Sequence, residues 1–266
     1  MSALDRIASF IDRAPRLQPG HVWLAGAGPG DPGMVTLDVV AALSQAEVVV
    51  HDALIDARVL ELAAGAELVD MGKRGGRPSP AQEEINARLI ALARAGRRVV
   101  RLKGGDPFIF GRGGEEALAL ALAGIPFRVL PGLTSALGAL AATGIPATMR
   151  GINHAVTFAT GHAVGTDDDL DWAALARTGQ PIVIYMGMRN LEAIAAALAA
   201  GGLPGDTPAA VIASATTGAE RTVVATLATI HAEVARQGIG APALIVVGHI
   251  VEMREKLGHD RLEGGR

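Results

Sequence analysis

Short runs of apolar, mostly β-branched residues alternate with longer amphipathic stretches through the first half of the chain. The runs predicted as buried strands are Val22–Ala25, Val48–Val50, Leu68–Met71, Val99–Lys103 and Phe127–Leu130. The stretches predicted as helices are Thr36–Ser44, Ala57–Ala64, Ser79–Ala95 and Gly114–Ala123, the third with Ser79 as its N-cap. Strands that alternate with helices are joined by right-handed crossovers, so the pattern predicts a mainly parallel sheet covered by helices.

The same alternation resumes after a polar turn at Arg150–Asn153. Strands are predicted at Ala155–Thr160, Ile182–Met186, Ala209–Ala213 and Leu244–Val247, and helices at Leu191–Ala200 and Thr229–Arg236. We therefore predict an N-terminal arm (1–20), two α/β domains with mainly parallel sheets flanked by helices (21–149 and 150–258) and a flexible tail (259–266). Ligands of such domains bind at the carboxyl ends of strands, so the interdomain cleft is the expected site.

The composition excludes several classes of function. Half of the residues are hydrophobic but only 3% are aromatic, which predicts an aliphatic core. A net charge of -3 without a basic arm argues against a nucleic-acid partner. The chain has no cysteine, which excludes disulfides and thiolate metal sites, and no metal is predicted. No segment is predicted to be a signal peptide or to span a membrane, so we expect a cytoplasmic protein without a membrane partner.

The first predicted strand ends in a loop, Gly28–Gly33, whose three glycines satisfy the G-x-G-x-x-G pattern of dinucleotide-binding proteins. Asp52 follows about twenty residues later, where such proteins place an acid that binds ribose. Two prolines within the loop argue against this interpretation, because a pyrophosphate cradle needs free backbone N–H groups at a helix N-terminus. An NAD(P)-dependent oxidoreductase remains an alternative of a different functional class.

A second loop, Gly104–Glu116, directly follows the strand that ends at Lys103. Its two leading glycines allow a ligand to approach the backbone closely, and Asp106 is a candidate acceptor for a ribose or an amine. An isolated loop of this kind is better explained as a glycine- and proline-rich turn with solvated charges, but two Gly-Asp-Pro loops, each directly after a strand, favour a binding site. A third loop follows another strand, and its Thr134 or Ser135 is as well explained as a helix N-cap as by ligand binding.

Several motifs together make the chain recognisable. They are Gly26-Ala27-Gly28-Pro29-Gly30-Asp31-Pro32, Leu102-Lys103-Gly104-Gly105-Asp106-Pro107-Phe108-Ile109-Phe110-Gly111-Arg112-Gly113, Pro131-Gly132-Leu133-Thr134-Ser135-Ala136, Gly144-Ile145-Pro146, Thr160-Gly161-His162 and Tyr185-Met186-Gly187. In this order, from about residue 21 to 257, they resemble the uroporphyrinogen-III C-methyltransferases. Each motif is modest alone, whereas the ordered set is specific.

The resemblance implies a two-domain tetrapyrrole methyltransferase, usually a homodimer, that binds S-adenosyl-L-methionine between its domains and releases S-adenosyl-L-homocysteine. The cofactor contacts implied by the family are Pro29, Gly104, Gly105, Asp106, Ile109, Thr134, Ser135, Met186, Ala215 and Ala243. Ala215 stands where many relatives carry glycine, which a backbone contact would tolerate.

The resemblance also implies the acceptor, uroporphyrinogen III, methylated at C2 and C7 to give precorrin-2 by way of precorrin-1. A methyltransferase of the same fold acting on a later precorrin is the nearer alternative. The substrate carries eight carboxylates, which call for cations, and arginine suits carboxylates best. The predicted substrate-binding residues are Arg112, Arg150 and Lys73, with Arg74 as a weaker candidate.

Methylation of a pyrrole carbon leaves a proton to be removed. Glu115, three residues after Arg112, is predicted to act either as the general base or as the group that orients this arginine. The plain alternative is a carboxylate favoured by the helix dipole at a helix start. His162 is a further residue to consider for the proton step, although the sequence favours a role in packing or in a turn.

Overall fold

The computed structural model describes residues 2–72, 81–164 and 169–258. By its internal contacts the chain divides into two compact units, and the division lies between Ser135 and Ala136. The sequence placed the domain boundary after residue 149 instead. The observed boundary lies earlier because the helix that begins at Ser135 packs with the second unit: its apolar residues Ala136, Ala139 and Leu140 join the core of that unit.

The first unit contains a five-stranded parallel sheet. Its strands are β1 (Val22–Gly26), β2 (Val48–His51), β3 (Glu67–Asp70), β4 (Val99–Lys103) and β5 (Phe127–Leu130), in the order β3-β2-β4-β1-β5. Every strand pair is parallel, as the alternating pattern predicted. The central strands are buried on both faces and therefore appear in the sequence as continuous apolar runs.

Helices cover both faces of this sheet. They are α2 (Leu37–Leu43), α3 (Ala57–Leu60), α4 (Gln82–Arg94) and α5 (Gly113–Leu122), with short 3-10 turns at Pro32–Met34 and Glu61–Ala63, whereas α1 (Ala3–Asp12) precedes β1 and has no buried residue. α1 was predicted only as an arm, but Ser2 and Asp5 form a reciprocal capping box at its start. Within the described residues α4 begins at Gln82 with Ala81 as cap residue, so the predicted start was early; Ser79 itself lies outside the described residues.

The second unit contains a mixed sheet. Its strands are β6 (Thr157–Thr160), β7 (Ile182–Tyr185), β8 (Pro208–Ala213), β9 (Arg221–Thr226) and β10 (Ala243–Val247), in the order β6-β7-β10-β8-β9. Only the β6–β7 pair is parallel, so the prediction of a mainly parallel sheet is wrong here. Part of the error comes from β9, a strand that was not predicted and that pairs with β8 in the antiparallel direction. It lies at the sheet edge, where Val223 alone is fully buried and the apolar signal is weak.

The helices of the second unit complete its two layers. They are α6 (Ser135–Ala142), α7 (Trp172–Arg177), α8 (Leu191–Ala200), α9 (Ile230–Arg236) and α10 (Met253–Lys256), with 3-10 turns at Met188–Asn190 and His249–Glu252. Both cores are almost wholly aliphatic, as the composition predicted. No helix in the described part of the chain is long and apolar enough to cross a membrane.

Candidate functional site

Three loops leave the carboxyl ends of neighbouring strands β1, β4 and β5 and meet there. Gly28 and Gly105 exchange backbone hydrogen bonds of 3.2 and 2.7 Å. The N–H of Gly132 in the third loop donates to Oδ2 of Asp106 in the second at 3.0 Å. The structure therefore brings together the loops that the sequence singled out separately.

Glycine is required where these loops touch. A Cβ atom on Gly26 would lie 2.5 Å from the carbonyl oxygen of Gly105 and 2.6 Å from the nitrogen of Gly132. Gly105 also has a φ of +67°, in the left-handed region that suits glycine. The close approach of backbones, rather than a phosphate cradle, accounts for the glycines of this region.

Gly104 differs from its neighbours because it faces open space. It is exposed, nothing lies within 4 Å of the position of a Cβ atom, and its backbone N–H and C=O have no hydrogen-bond partner among the described residues. The other cofactor residues predicted in this unit are less exposed. Gly105 and Thr134 are buried, and the half-buried residues are Pro29, Asp106, Ile109 and Ser135. Gly104 thus offers a free peptide edge at the end of the central strand.

Asp106 braces the loops around it. Its Oδ1 accepts the N–H of Phe108 at 2.8 Å, while its Oδ2 accepts the N–H of Gly132. Each oxygen has a second lone pair, so a ligand hydroxyl or amine can still bind. The carboxylate that the sequence offered for ligand binding also fixes the shape of the site.

Arg112 and Glu115 form a bidentate ion pair on the loop and the first turn of α5. Nε and Nη2 of Arg112 lie 2.9 and 2.7 Å from the two carboxylate oxygens of Glu115, and both side chains are more than half exposed. These hydrogen bonds hold the pKa of Glu115 below its ordinary value and raise the pKa of Arg112. Glu115 is thereby kept ionised with both oxygens engaged, which suits an orienting group better than a base.

Beneath this loop lies a buried ion cluster that the sequence analysis missed. Oε1 of Glu116 accepts Nε of Arg101 at 3.0 Å, Nζ of Lys103 at 2.9 Å and Nε2 of Gln82 at 3.3 Å. Arg101 also donates to Asp52 at 2.5 Å. The sequence did contain a sign of this cluster, since an otherwise apolar strand carries two cations, Arg101 and Lys103, two residues apart. Alternate residues of a strand point to the same face, so these two side chains had to lie together.

Electrostatics in this cluster reflect its burial. Burial disfavours the charged form of Arg101, but the negative charges of Asp52 and Glu116 outweigh it and raise its pKa. Burial and the positive charge of Arg101 lower the pKa of Lys103, against the opposing influence of Glu116 and Asp52. The two carboxylates therefore offset the cost of burying both cations.

The residues predicted in the second unit lie at one edge of its sheet. Strand β7 ends just before Met186, and the antiparallel strand β10 begins at Ala243, so both residues lie at the same end of the sheet. Ser214, which precedes Ala215, donates its N–H to the carbonyl of Pro242 at 3.0 Å. Met186, Ala215 and Ala243 thus follow or begin three adjacent strands at the same edge.

This edge contains backbone strain. Met186, Ser214 and Thr216 have φ values of +53°, +48° and +67°, which non-glycine residues rarely adopt. Residues held in such conformations concentrate at functional sites. Of these three, only Met186 was singled out from the sequence.

The structure says less about the roles of the remaining predicted residues. Arg150 is exposed and makes no ion pair with any described residue. Nδ1 of His162 is 3.0 Å from the hydroxyl of Thr160, which suits the turn role. Lys73 and Arg74 lie outside the described residues. No group of three or more His, Cys, Asp or Glu side chains that could hold a metal ion occurs among the residues described.

The geometry does not support the dinucleotide alternative. The glycine loop leads into a 3-10 turn capped by Asp31, and α2 begins only at Leu37, after the glycines. No helix N-terminus therefore stands at the glycine pattern, as a pyrophosphate would need. Asp52, the candidate ribose acid, is instead paired with Arg101.

Comparison with known proteins gives a consistent result. Residues 21–231 match the family model described as Tetrapyrrole (Corrin/Porphyrin) Methylases. The chain is 52% identical over 246 residues to a uroporphyrinogen-III C-methyltransferase of Sinorhizobium sp, covering 91% of this chain and 88% of that protein. It is 48% identical to a siroheme synthase of Methylococcus capsulatus over 94% of this chain, but spans only 53% of that longer protein.

Solved structures agree with the sequence relatives. A uroporphyrin-III C-methyltransferase from Thermus thermophilus complexed with S-adenyl homocysteine matches with a TM-score of 0.74 and 40% identity, covering 87% of this chain and 99% of that one. A cobalt precorrin-4 methyltransferase matches with a TM-score of 0.78 and 25% identity, covering 87% of this chain and 96% of that one. The predicted resemblance is confirmed: the chain belongs to the tetrapyrrole methylase family.

Proposed function

We propose that this protein is a uroporphyrinogen-III C-methyltransferase, which transfers methyl groups from S-adenosyl-L-methionine to C2 and C7 of uroporphyrinogen III and yields precorrin-2 by way of precorrin-1. The observation that carries the proposal is the loop Gly104–Gly113, which carries both a free peptide edge and an exposed, oriented guanidinium. The 52% identity to the Sinorhizobium enzyme favours this acceptor over a later precorrin.

The residues present fit S-adenosyl-L-methionine. Gly104 has room for a ligand against its backbone, and its free N–H and C=O suit the polar groups of a nucleoside or an amino acid. Thr134, Ser135, Pro29 and Ile109 would complete the binding surface in the first unit, and Met186, Ala215 and Ala243 would contribute from the second. When bound, the sulfonium supplies a methyl group that is already activated for transfer. No nucleophilic side chain is therefore needed.

The role of the chain is then to bind and orient the acceptor. Glu115 engages Nε and Nη2 of Arg112, which leaves Nη1 to meet a substrate carboxylate. Arg150, exposed and unpaired among the described residues, is proposed as a second carboxylate ligand, with Lys73 as a third. Glu115 is assigned to orienting Arg112 rather than to accepting a proton. A homodimer in the cytoplasm, with the cofactor between the two domains, remains a prediction.

The proposal is tested by incubating the protein with uroporphyrinogen III and methyl-labelled S-adenosylmethionine. We expect two labelled methyl groups per acceptor. Arg112→Ala should abolish turnover while S-adenosylhomocysteine binding, measured by calorimetry, stays within about threefold, because the guanidinium contacts the acceptor only. Label transfer to a later precorrin but not to uroporphyrinogen III would refute the assigned acceptor.

Arg58→Ala is the matched control. Arg58 forms a similar bidentate pair with Asp56, at 3.0 and 2.9 Å, at the start of α3 in the same unit, and its side chain is exposed. Its loss should leave both turnover and binding unchanged. Equal losses in the two variants would mean that Arg112 has no special role in the reaction.

A further inference from the structure

The buried ion cluster of Arg101, Lys103, Glu116 and Gln82 has no evident purpose in stability alone. Removing ions from water is unfavourable, and well-packed apolar residues often replace a buried pair without loss of stability. Here the cluster lies on the face of β4 that also carries Val99, which packs in the apolar core with α4 and α5. Apolar side chains would continue that core, so the charges call for another explanation.

Glu116 connects this cluster directly to the loop above it. Its side chain is fully buried and bound by donors from β4 and α4, while its backbone N–H donates to the carbonyl of Arg112 at 3.2 Å. Its Oε2 is buried without a partner in the described part of the chain, so all of its anchoring depends on the charge-assisted contacts of Oε1.

Arg112 needs such an anchor because its backbone is strained. Its φ is +60°, in the left-handed region that is unfavourable for a residue other than glycine. The next residue, Gly113, donates its N–H to the carbonyl of Pro107 at 2.9 Å, which closes the loop on the other side. The stem of Lys103 supports the loop from below, since its Cε would be 3.4 Å from a Cβ atom on Gly111.

We propose that Glu116, held by Lys103 and Arg101, is a positioning residue that fixes the left-handed backbone of Arg112 and so aims its guanidinium at the acceptor. This inference rests on the proposed function for the part played by Arg112. Glu116 itself is buried and does not touch substrate or cofactor. The cluster acts through Arg112, and its charge is what makes the anchor rigid.

A double-mutant cycle tests this action through Arg112. Glu116→Gln keeps the shape of the side chain but loses its charge, and we expect kcat/KM for uroporphyrinogen III to fall about tenfold, with S-adenosylhomocysteine affinity within about threefold. In an Arg112→Lys background, where the planar fork is already absent, the same change should cost less than about twofold. Equal losses in both backgrounds would overturn the proposal, because a merely structural role is additive.

Two further variants keep the test decisive. If Glu116→Gln fails to fold, Lys103→Met takes its place in the same cycle, since it removes one anchor and leaves Glu116 paired with Arg101. Glu47→Gln is the matched control, because Glu47 accepts the N–H of Arg98 at 2.8 Å just before the opposite end of β4. Its kcat/KM should equal that of the wild type, and a tenfold loss there would overturn the proposal.

A crystal structure of Lys103→Met gives a readout that does not depend on the reaction. We expect Arg112 to leave its positive φ and its bidentate contact with Glu115 to break. An unchanged Arg112 backbone and ion pair would overturn the inference. If the wild-type protein transferred no methyl group to uroporphyrinogen III, the proposed function would fail, while this structure would still decide whether the cluster positions Arg112.

Discussion

Each unit has its predicted ligand residues at the ends of strands of a five-stranded sheet, but different kinds of residue surround them in the two units. In the first unit, glycines let three loops approach one another, and buried charges support them from below. In the second, the predicted ligand residues are Met186 and two alanines, and Met186, Ser214 and Thr216 adopt positive φ without being glycine. The first unit has the same kind of strain at Phe110 and Arg112, so the touching glycines and the buried charges are what distinguish it.

The largest loss of stability is expected at the buried ions of the first unit, the feature in which it differs most from the second. Arg101→Met should lower the free energy of unfolding by about 3–5 kcal/mol, because it leaves Glu116 buried with less compensating charge. Denaturant unfolding measures the change.

The comparison partner for this variant is Ile184→Val in the buried core of the second unit. It should cost only about 0.5–1.5 kcal/mol, since it removes one methylene and no charge. If the two losses were equal, the charges of the first unit would have no special weight.

A smaller effect is expected where glycines bring the loops together. A Cβ atom on Gly132 would lie 2.7 Å from the carbonyl oxygen of Gly26. Gly132→Ala should therefore destabilise the protein by about 1–3 kcal/mol and weaken S-adenosylhomocysteine binding, because the backbones must separate. Thermal unfolding and calorimetry measure the two losses.

Gly114→Ala serves as its control. Nothing lies within 4 Å of a Cβ atom at this position in α5, and alanine favours a helix by up to about 1 kcal/mol over glycine. We expect an unchanged or raised melting temperature. A Gly132→Ala variant as stable as Gly114→Ala would contradict the close packing of the loops.

The smallest effect is expected from the strained edge of the second unit. Ser214→Gly should raise the free energy of unfolding by at most about 1 kcal/mol, because relief of the left-handed strain exceeds the entropy cost of glycine only slightly. Chemical denaturation is the measurement, with Ser44→Gly, at an ordinary helix end, as a control that should lose stability. A loss of similar size at Ser214 would mean that its conformation is not strained.

Much of the first unit was predictable from the sequence. Its five strands lie within one residue of the predicted bounds. The strands β1 and β2 are buried on both faces and appear as apolar runs, and the more exposed β3 and β5 still stand out as short apolar, β-branched segments between predicted helices. The second unit was less predictable. Its edge strand β9 is half-exposed, and strand direction in a mixed sheet depends on pairing that no local pattern records.

The candidate site, too, was only partly predictable from the sequence. Gly104, Asp106 and Arg112 stood out because glycine, proline and charge directly after a strand are local signals. The roles of the residues were not local: the sequence left Glu115 open between a base and an orienting group, and only its two short contacts with Arg112 favour the second. Glu116, adjacent to it, gave no signal because its partners lie on another strand and helix.

The sequence by itself determined the family, the parallel sheet of the first unit and the loops that carry chemistry, since these depend on short-range patterns and ordered motifs. Only the tertiary structure decided which carboxylate faces solvent and which is buried, which strands run antiparallel, and on which side of the division α6 packs. Those outcomes depend on contacts between residues far apart in the chain, such as Arg101 with Asp52, whose free energy appears only when the chain has folded.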